Sequence, residues 1–208
     1  MSTTAHLPPV PLPTGDFSGY IFDCDGTLAD SMPAHFKAWE AAFRANGARF
    51  DFTWKDFYGQ AGMGMYESVR YFNDLHGDAL DPAAVVAAYN EQMLVEHAAV
   101  LPIEPVVTLA RELGQSHPVA VASGGSRAHV TETLRLIGLE GFFRVVVTKD
   151  DVANGKPAPD SFLLAAEKMG VPAQECLVFE DAPLGLKAAK AAGMQAVYID
   201  PMVYSARV

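Results

Sequence analysis

Short apolar runs alternate with helical patterns along most of the chain. Runs that end at a turn signal are typical of strands buried on both faces of a parallel sheet. The runs predict strands at 20–22, 119–122, 143–148, 176–179 and 195–199. Between the later strands, apolar residues at helical spacing predict helices at 104–113, 127–137, 160–169 and 184–192. This alternation predicts an α/β fold, a Rossmann-like parallel sheet with right-handed crossovers.

The stretch after the first predicted strand contains no convincing strand and is helical in pattern. Its first helix carries an apolar stripe formed by Phe36, Trp39, Ala42 and Phe43. We therefore predict a small α-helical cap domain at 31–99, inserted into an α/β core domain formed by 17–30 and 100–208. Residues 1–16 are Pro-rich without a periodic pattern, and are predicted to be a flexible tail.

Charge and composition narrow the choice of partner. The formal net charge of −10 argues against a nucleic acid or an anionic membrane, which favour a basic surface. No apolar run approaches the ~20 residues of a membrane span, and the N-terminus does not resemble a signal peptide. The two cysteines, Cys24 and Cys176, lie in or beside predicted buried strands, as reduced core thiols do. We expect a cytoplasmic monomer whose partner is a small molecule.

Candidate chemistry begins directly after the first strand. Asp23 and Asp25 are spaced i, i+2, and Gly26 then allows a sharp turn. Ligands of open α/β sheets bind at the carboxyl ends of the strands. One carboxylate can attack phosphorus, and a second can protonate the leaving oxygen and later activate water. Such a site needs a cation, and Mg²⁺ suits carboxylate and phosphate oxygens. The alternative is a turn whose aspartates only hydrogen-bond to their own backbone.

Four stretches resemble, in order, the motifs of the haloacid dehalogenase-like (HAD) hydrolases. They are Asp23-Cys24-Asp25-Gly26-Thr27, Val119-Ala120-Val121-Ala122-Ser123-Gly124-Gly125, Gly155-Lys156-Pro157-Ala158-Pro159-Asp160 and Leu177-Val178-Phe179-Glu180-Asp181. The helical insert resembles the small cap of the subgroup that contains β-phosphoglucomutase, phosphoglycolate phosphatase and small sugar-phosphate phosphatases. Within that subgroup, the chain looks most similar to bacterial phosphatases of the fructose-1-phosphatase kind.

The resemblance implies a role for each motif residue. Asp23 would be the nucleophile that forms an aspartyl-phosphate, and Asp25 the general acid and base. Phosphate contacts are implied for Thr27, Ser123, Gly124 and Lys156. Magnesium ligands are implied for Asp23, Asp25 (through its backbone carbonyl), Glu180 and Asp181. For most of these residues a structural role, in a strand-to-helix turn or at a helix N-terminus, stays open as the alternative.

Two residues of the insert are further candidates for substrate contact. His35 matches a histidine of sugar-phosphate relatives and is predicted to face the site, although it can equally lie on an exposed helix face. Gly62 lies in a Gly-rich run that either approaches the substrate or simply connects two helices.

The positions of Lys and Arg in the insert distinguish between two possible reactions. A β-phosphoglucomutase-like mutase holds the second phosphate of a bisphosphate with cationic cap residues. Here no Lys or Arg follows Gly62 until Arg70, and none lies between Asn73 and Val100. A distal phosphate would thus forfeit charge-assisted hydrogen bonds worth ~1.5–3 kcal/mol each.

The sequence therefore predicts a Mg²⁺-dependent phosphatase that hydrolyses small phosphomonoesters, such as sugar phosphates. A phosphosugar mutase is the alternative. A dehalogenase would lack the second aspartate of the first motif. A non-catalytic binding protein on this scaffold would show damaged motifs, and these four are intact.

Overall fold

A parallel five-stranded sheet forms the centre of the protein. The computed structural model describes residues 8–60 and 63–205. The strands are β1 Gly19–Phe22, β2 Val119–Ala122, β3 Val145–Val147, β4 Cys176–Glu180 and β5 Gln195–Tyr198. They are arranged in the order β3-β2-β1-β4-β5, and all pairs are parallel. The predicted α/β fold is confirmed.

Helices connect the strands and fill the insert between β1 and β2. They are α1 Met32–Ala45, α2 Trp54–Gly59, α3 Met65–His76, α4 Pro82–Glu96, α5 Glu104–Leu113, α6 Arg127–Leu136, α7 Asp160–Met169, α8 Pro183–Ala191 and α9 Pro201–Tyr204. The first four make up the predicted helical insert, and its described residues contain no strand. The exact domain bounds stay a prediction. None of the helices in the described part of the chain is long and apolar enough to cross a bilayer.

Buried apolar residues explain why β1 is the central strand. All four of its residues are buried, as a strand covered on both faces requires. On one face, Phe22 stacks on Phe179 with ring centroids 4.5 Å apart, in a core that continues into the insert. On the other face, Ile21 packs in a second core that includes Phe162 of α7. The insert has its own aromatic centre around Phe43, which lies on the predicted stripe of α1 and is 1% exposed.

The strand order determines which loops meet. Because β2 and β4 both pair with β1, the residues that follow these three strands lie at one edge of the sheet. This edge carries Asp23 after β1, Ser123 after β2 and Asp181 after β4. Three of the four predicted motifs are thus neighbours in space.

Two sequence predictions differ from the structure in detail. The third strand, Val145–Val147, is shorter than the predicted 143–148. It ends before Thr148, because the Thr148 hydroxyl and N–H both donate to Asp151 and cap the 3-10 turn Lys149–Asp151. The described part of the Pro-rich segment, from Pro8, forms no helix or strand. Val10 is nevertheless 9% exposed, and the Tyr204 hydroxyl donates to the Pro9 carbonyl. The segment therefore contacts the core at Pro9 and Val10, whereas most of its other described residues are exposed, and the flexibility of residues 1–7 stays a prediction.

Candidate active site

A cleft of about 1000 Å³ lies between the insert and the carboxyl ends of the strands. Its floor includes Asp23, Asp25, Ser123, Lys156 and Asp181. The cleft therefore brings together residues from all four predicted motifs.

The innermost ion pairs join Asp23, Lys156 and Glu180. The Lys156 ammonium donates to Asp23 Oδ1 at 2.6 Å and to Glu180 Oε1 at 2.7 Å. The side chains of all three residues are at most 8% exposed. The other Glu180 oxygen accepts the Ala182 N–H at 2.6 Å. Glu180, predicted as a metal ligand, thus uses both oxygens to hold Lys156 and the start of α8.

Burial alone would shift the pKa values of Asp23 and Lys156 in opposite directions. Desolvation raises the pKa of Asp23 to about 7, although Lys156 opposes that shift. Burial alone would lower the pKa of Lys156, but the carboxylates of Asp23 and Glu180 outweigh it, and the pKa rises. Lys156 is therefore a permanent cation at the base of the cleft.

Asp25 lies in a different environment, beside two imidazoles. His129 Nε2 is 3.1 Å from Asp25 Oδ1, and His35 Nε2 is 3.4 Å from the same oxygen. The Ser31 hydroxyl donates to that oxygen at 2.7 Å. Burial favours the neutral acid, but the charge of His129, followed by that of His35, holds the pKa of Asp25 well below its usual range. The two aspartates of the first motif therefore differ in pKa, which is raised for Asp23 and lowered for Asp25.

Asp181 is buried with one oxygen free of hydrogen bonds. The Thr27 hydroxyl donates to Oδ1 at 3.2 Å, whereas Oδ2 has no partner among the described residues. Thr27 was expected to bind phosphate, but it is fully buried and its hydroxyl is directed at Asp181. Gly26, at φ +84°, leaves room for this carboxylate, because a Cβ there would lie 2.1 Å from Asp181 Oδ2.

These carboxylates fit a divalent cation. Burial raises the pKa of Asp181 well above its usual range, and the charges of Glu180 and Asp23 add to this effect. Three carboxylates are buried here, and Lys156 pairs with two of them, Asp23 and Glu180, so the group lacks positive charge. An unpartnered, buried carboxylate oxygen is a ligand atom that a hard cation prefers.

Ser123 and Gly124, predicted to bind phosphate, form another part of the floor. Ser123 is 2% exposed, and its Oγ accepts the Gly125 N–H at 3.0 Å. Its own hydroxyl proton therefore remains available as a donor. A Cβ at Gly124 would meet nothing within 4 Å, so the backbone there borders open space in the cleft.

Gly185 provides a test of the Glu180–Lys156 contact. A Cβ at this position would lie 1.7 Å from Glu180 Oε1, the oxygen that accepts from Lys156. We expect Gly185→Ala to displace Glu180, to cost about 1–3 kcal/mol of unfolding free energy and to lower kcat more than it raises KM. Denaturant unfolding and steady-state kinetics measure these effects. Gly170→Ala, strained by φ +71° but remote from the cleft, should lower stability without changing kcat. An unchanged kcat in Gly185→Ala would contradict the expectation.

The insert covers the cleft with apolar residues, polar residues and the carboxylate of Glu67. His35 faces the cleft, as predicted, and its Nδ1 lies 2.5 Å from the Tyr89 hydroxyl. Gly62, the other candidate, lies outside the described residues. Among the described cleft residues, Lys or Arg side chains come only from the core, at Lys149 and Lys156.

Sequence reasoning missed His129. It belongs to no motif and lies 104 residues from its partner Asp25. The available signal was Ser126, a typical N-cap residue directly before the predicted helix 127–137, and its Oγ accepts the His129 N–H at 3.3 Å. That cap places His129 in the first turn of α6, the turn nearest the carboxyl end of β2.

Comparisons with known proteins agree with this arrangement. A family model described as haloacid dehalogenase-like hydrolase matches residues 17–193. Fructose-1-phosphate phosphatase YqaB of Escherichia coli (strain K12) is 37% identical over 184 residues, 87% of this chain and 95% of the relative. Hexitol phosphatase A of the same organism is 31% identical over 183 residues, 88% of this chain and 82% of the relative.

A solved structure extends the comparison. CbbY from Rhodobacter sphaeroides in complex with phosphate superposes with a TM-score of 0.74 at 27% identity, covering 86% of this chain and 84% of CbbY. Three findings lead to the same assignment: the strand order of the sheet, the position of the four motifs at one edge of it, and the match over most of the chain. The chain belongs to the haloacid dehalogenase-like hydrolases.

Proposed function

We propose that the protein is a Mg²⁺-dependent phosphatase of small phosphomonoesters, with sugar and polyol phosphates as its substrate class. The observation that carries the proposal is the floor of the cleft. There Asp23 is held by Lys156, and Asp25 lies two residues further along, beside His129. The names of the phosphatase relatives support the substrate class.

Asp23 is the nucleophile of the proposed reaction. Its carboxylate attacks phosphorus, and the bond from phosphorus to the leaving alcohol oxygen breaks, which gives an aspartyl-phosphate. Lys156, Ser123 and the Gly124 N–H bind the phosphoryl oxygens, which carry the developing charge. Water then attacks phosphorus, which releases inorganic phosphate and restores Asp23.

Asp25 moves the protons in both steps. It donates to the leaving alcohol in the first step and accepts from the attacking water in the second. The neighbouring imidazoles keep Asp25 ionised in the free protein, the state that accepts a proton. Asp25 raises the pKa of the His129 imidazole, which favours its protonated form. In the first step His129 passes this proton through the hydrogen bond to Asp25, which donates it to the leaving alcohol oxygen, and the proton that Asp25 takes from water in the second step restores the pair.

Members of the family generally use a divalent metal ion. In this chain Asp23, the Asp25 carbonyl and Asp181 would hold Mg²⁺, which supplies positive charge to the phosphoryl group when bound. Glu180 supports the site through Lys156.

The charges lining the cleft favour a monophosphate over a bisphosphate. The described cap residues that face the cleft offer amide, hydroxyl, thioether, aliphatic and aromatic groups, together with the imidazoles of His35 and His97 and the Glu67 carboxylate. Gln60, Tyr89 and Asn90 are of the type that bind sugar hydroxyls. A second phosphate would meet no ammonium or guanidinium group from this side of the described cleft.

A substrate panel tests this function. We expect phosphate release from hexose, pentose and hexitol monophosphates in Mg²⁺, and a fall to background when EDTA removes the metal. β-Glucose 1-phosphate with its bisphosphate activator belongs to the panel, because a mutase would convert it to glucose 6-phosphate. Isomer formation with little free phosphate would overturn the phosphatase assignment in favour of the mutase. No phosphate release from any member would contradict both.

A further inference from the structure

We propose that Asp25, His35 and His129 form a second metal site, selective for Zn²⁺ or a similar transition metal and distinct from the Mg²⁺ site. The three side chains come from the loop after β1, from α1 and from α6. Two imidazoles and one carboxylate are a donor set that Zn²⁺, Co²⁺ and Ni²⁺ prefer to Mg²⁺.

The distances fit a single small ion. Ligand atoms about 2.0–2.1 Å from a tetrahedral metal lie about 3.3 Å from one another. Asp25 Oδ1 is 3.1 Å from His129 Nε2 and 3.4 Å from His35 Nε2. All three ligand atoms lie within 4.8 Å of one another. Within residues 8–60 and 63–205, no other group of three His, Cys, Asp or Glu side chains meets this criterion.

The surroundings hold the imidazoles in place. His35 Nδ1 lies 2.5 Å from the Tyr89 hydroxyl, an outer-shell contact that leaves Nε2 directed at Asp25. His129 is stacked on His97, with ring centroids 4.6 Å apart. The side chains of the three ligands are 15–20% exposed, so an ion can enter from the cleft and a water can complete its coordination.

The two metal sites use different atoms. The proposed Mg²⁺ site takes Asp25 through its backbone carbonyl, together with Asp23 and Asp181. The second site takes the Asp25 carboxylate, which faces the imidazoles and the Ser31 hydroxyl. Both ions can therefore be bound at once.

The consequence of the second site is inhibition. A transition metal bound to the Asp25 carboxylate prevents this group from transferring protons. This expected inhibition rests on the proposed phosphatase function. We expect Zn²⁺ to inhibit in saturating Mg²⁺, mainly by lowering kcat. Metal binding itself does not depend on that function and is measured separately.

Cobalt titration of the full-length protein in millimolar Mg²⁺ tests the site. We expect one Co²⁺ per chain, with the visible absorption of a four- or five-coordinate ion, and displacement of Co²⁺ by Zn²⁺. Loss of an outer-shell partner costs about 10–100-fold in affinity, so His129→Gln, which removes a ligand but keeps a donor to Asp25, should weaken binding at least ~100-fold. Tyr89→Phe, which removes only the outer-shell contact, should weaken it about 10-fold.

Two further variants identify where the ion binds. Asp181→Asn removes a ligand of the Mg²⁺ site and should leave the Co²⁺ spectrum and affinity unchanged. His76→Gln removes a histidine outside the cluster and should change neither binding nor inhibition. Equal Co²⁺ affinity in His129→Gln and wild type would overturn the second site, as would loss of the Co²⁺ spectrum in Asp181→Asn. A protein without phosphatase activity that still binds Co²⁺ through His129 would overturn only the proposed function.

Discussion

Asp23→Asn should remove phosphatase activity, with kcat lowered roughly 10⁴-fold or more, as expected when a covalent nucleophile is lost. The amide has the size of the carboxylate but cannot form the acyl phosphate. It keeps an oxygen within reach of Lys156, which lies 2.6 Å from Asp23 Oδ1. The substitution also removes a buried charge beside Glu180, so we expect the variant to fold at least as stably as the wild type in the absence of Mg²⁺.

The measurement combines kinetics with chemical trapping. Acid quench of a reaction with ³²P-labelled substrate should yield labelled wild-type protein and unlabelled Asp23→Asn. Asp74→Asn, on the exposed surface of α3, is the matched control and should retain full activity and labelling. Activity within tenfold of wild type in Asp23→Asn would show that another group attacks phosphorus.

The residues that follow predicted strands were the most predictable part of the site. Apolar runs at 20–22, 119–122 and 176–179 ended where the strands end, within one residue. Since parallel strands place their carboxyl ends at one edge, Asp23, Ser123 and Asp181 could be expected near one another before any coordinates. The strand order β3-β2-β1-β4-β5 then explains how close they come, because β2 and β4 flank β1 directly.

The direction in which each side chain points could not be predicted from the sequence pattern. Glu180 and Asp181 look equivalent as an acidic pair, yet the Glu180 carboxylate accepts from Lys156 and Ala182, whereas one oxygen of Asp181 stays unpartnered among the described residues. Glu180 is the last residue of β4 and lies against Gly185 of α8, whereas Asp181 follows the strand, and the sequence pattern does not distinguish these two positions. For Thr27, likewise, the sequence predicts the loop but gives no sign that the hydroxyl donates to Asp181.

Long-range contacts made by helices were also not predictable. His35 could be proposed because of a resemblance, but its contact with Tyr89 spans 54 residues of the insert. The loop after β1 and the start of α6 lie at the same edge of the sheet, and this arrangement brings His129 to Asp25. The positions of the two histidines along the sequence do not indicate such contacts, so only the structure shows that both imidazoles lie beside Asp25.

Lys156→Met should affect both stability and catalysis. The substitution keeps an unbranched apolar side chain beside Phe162, whose ring centroid lies 4.9 Å from the ammonium, and removes only the charge. Asp23 and Glu180 would then be two buried carboxylates without their shared cation. Breaking a buried ion pair by removing one partner costs about 3–5 kcal/mol, and we expect a loss of unfolding free energy of that size in the absence of Mg²⁺.

Catalysis by Lys156→Met should fall for two connected reasons. The phosphoryl oxygens lose a charged donor, and Asp23 becomes harder to ionise, because Lys156 is what opposes the effect of burial on its pKa. The product of both effects is a fall in kcat/KM of roughly 10³-fold or more. Denaturant unfolding measures the first loss and steady-state kinetics the second, with the exposed Lys168→Met as the matched control. If Lys156→Met lost activity but kept its stability, Lys156 would contribute to catalysis alone, and the buried ion pairs would not stabilise the fold.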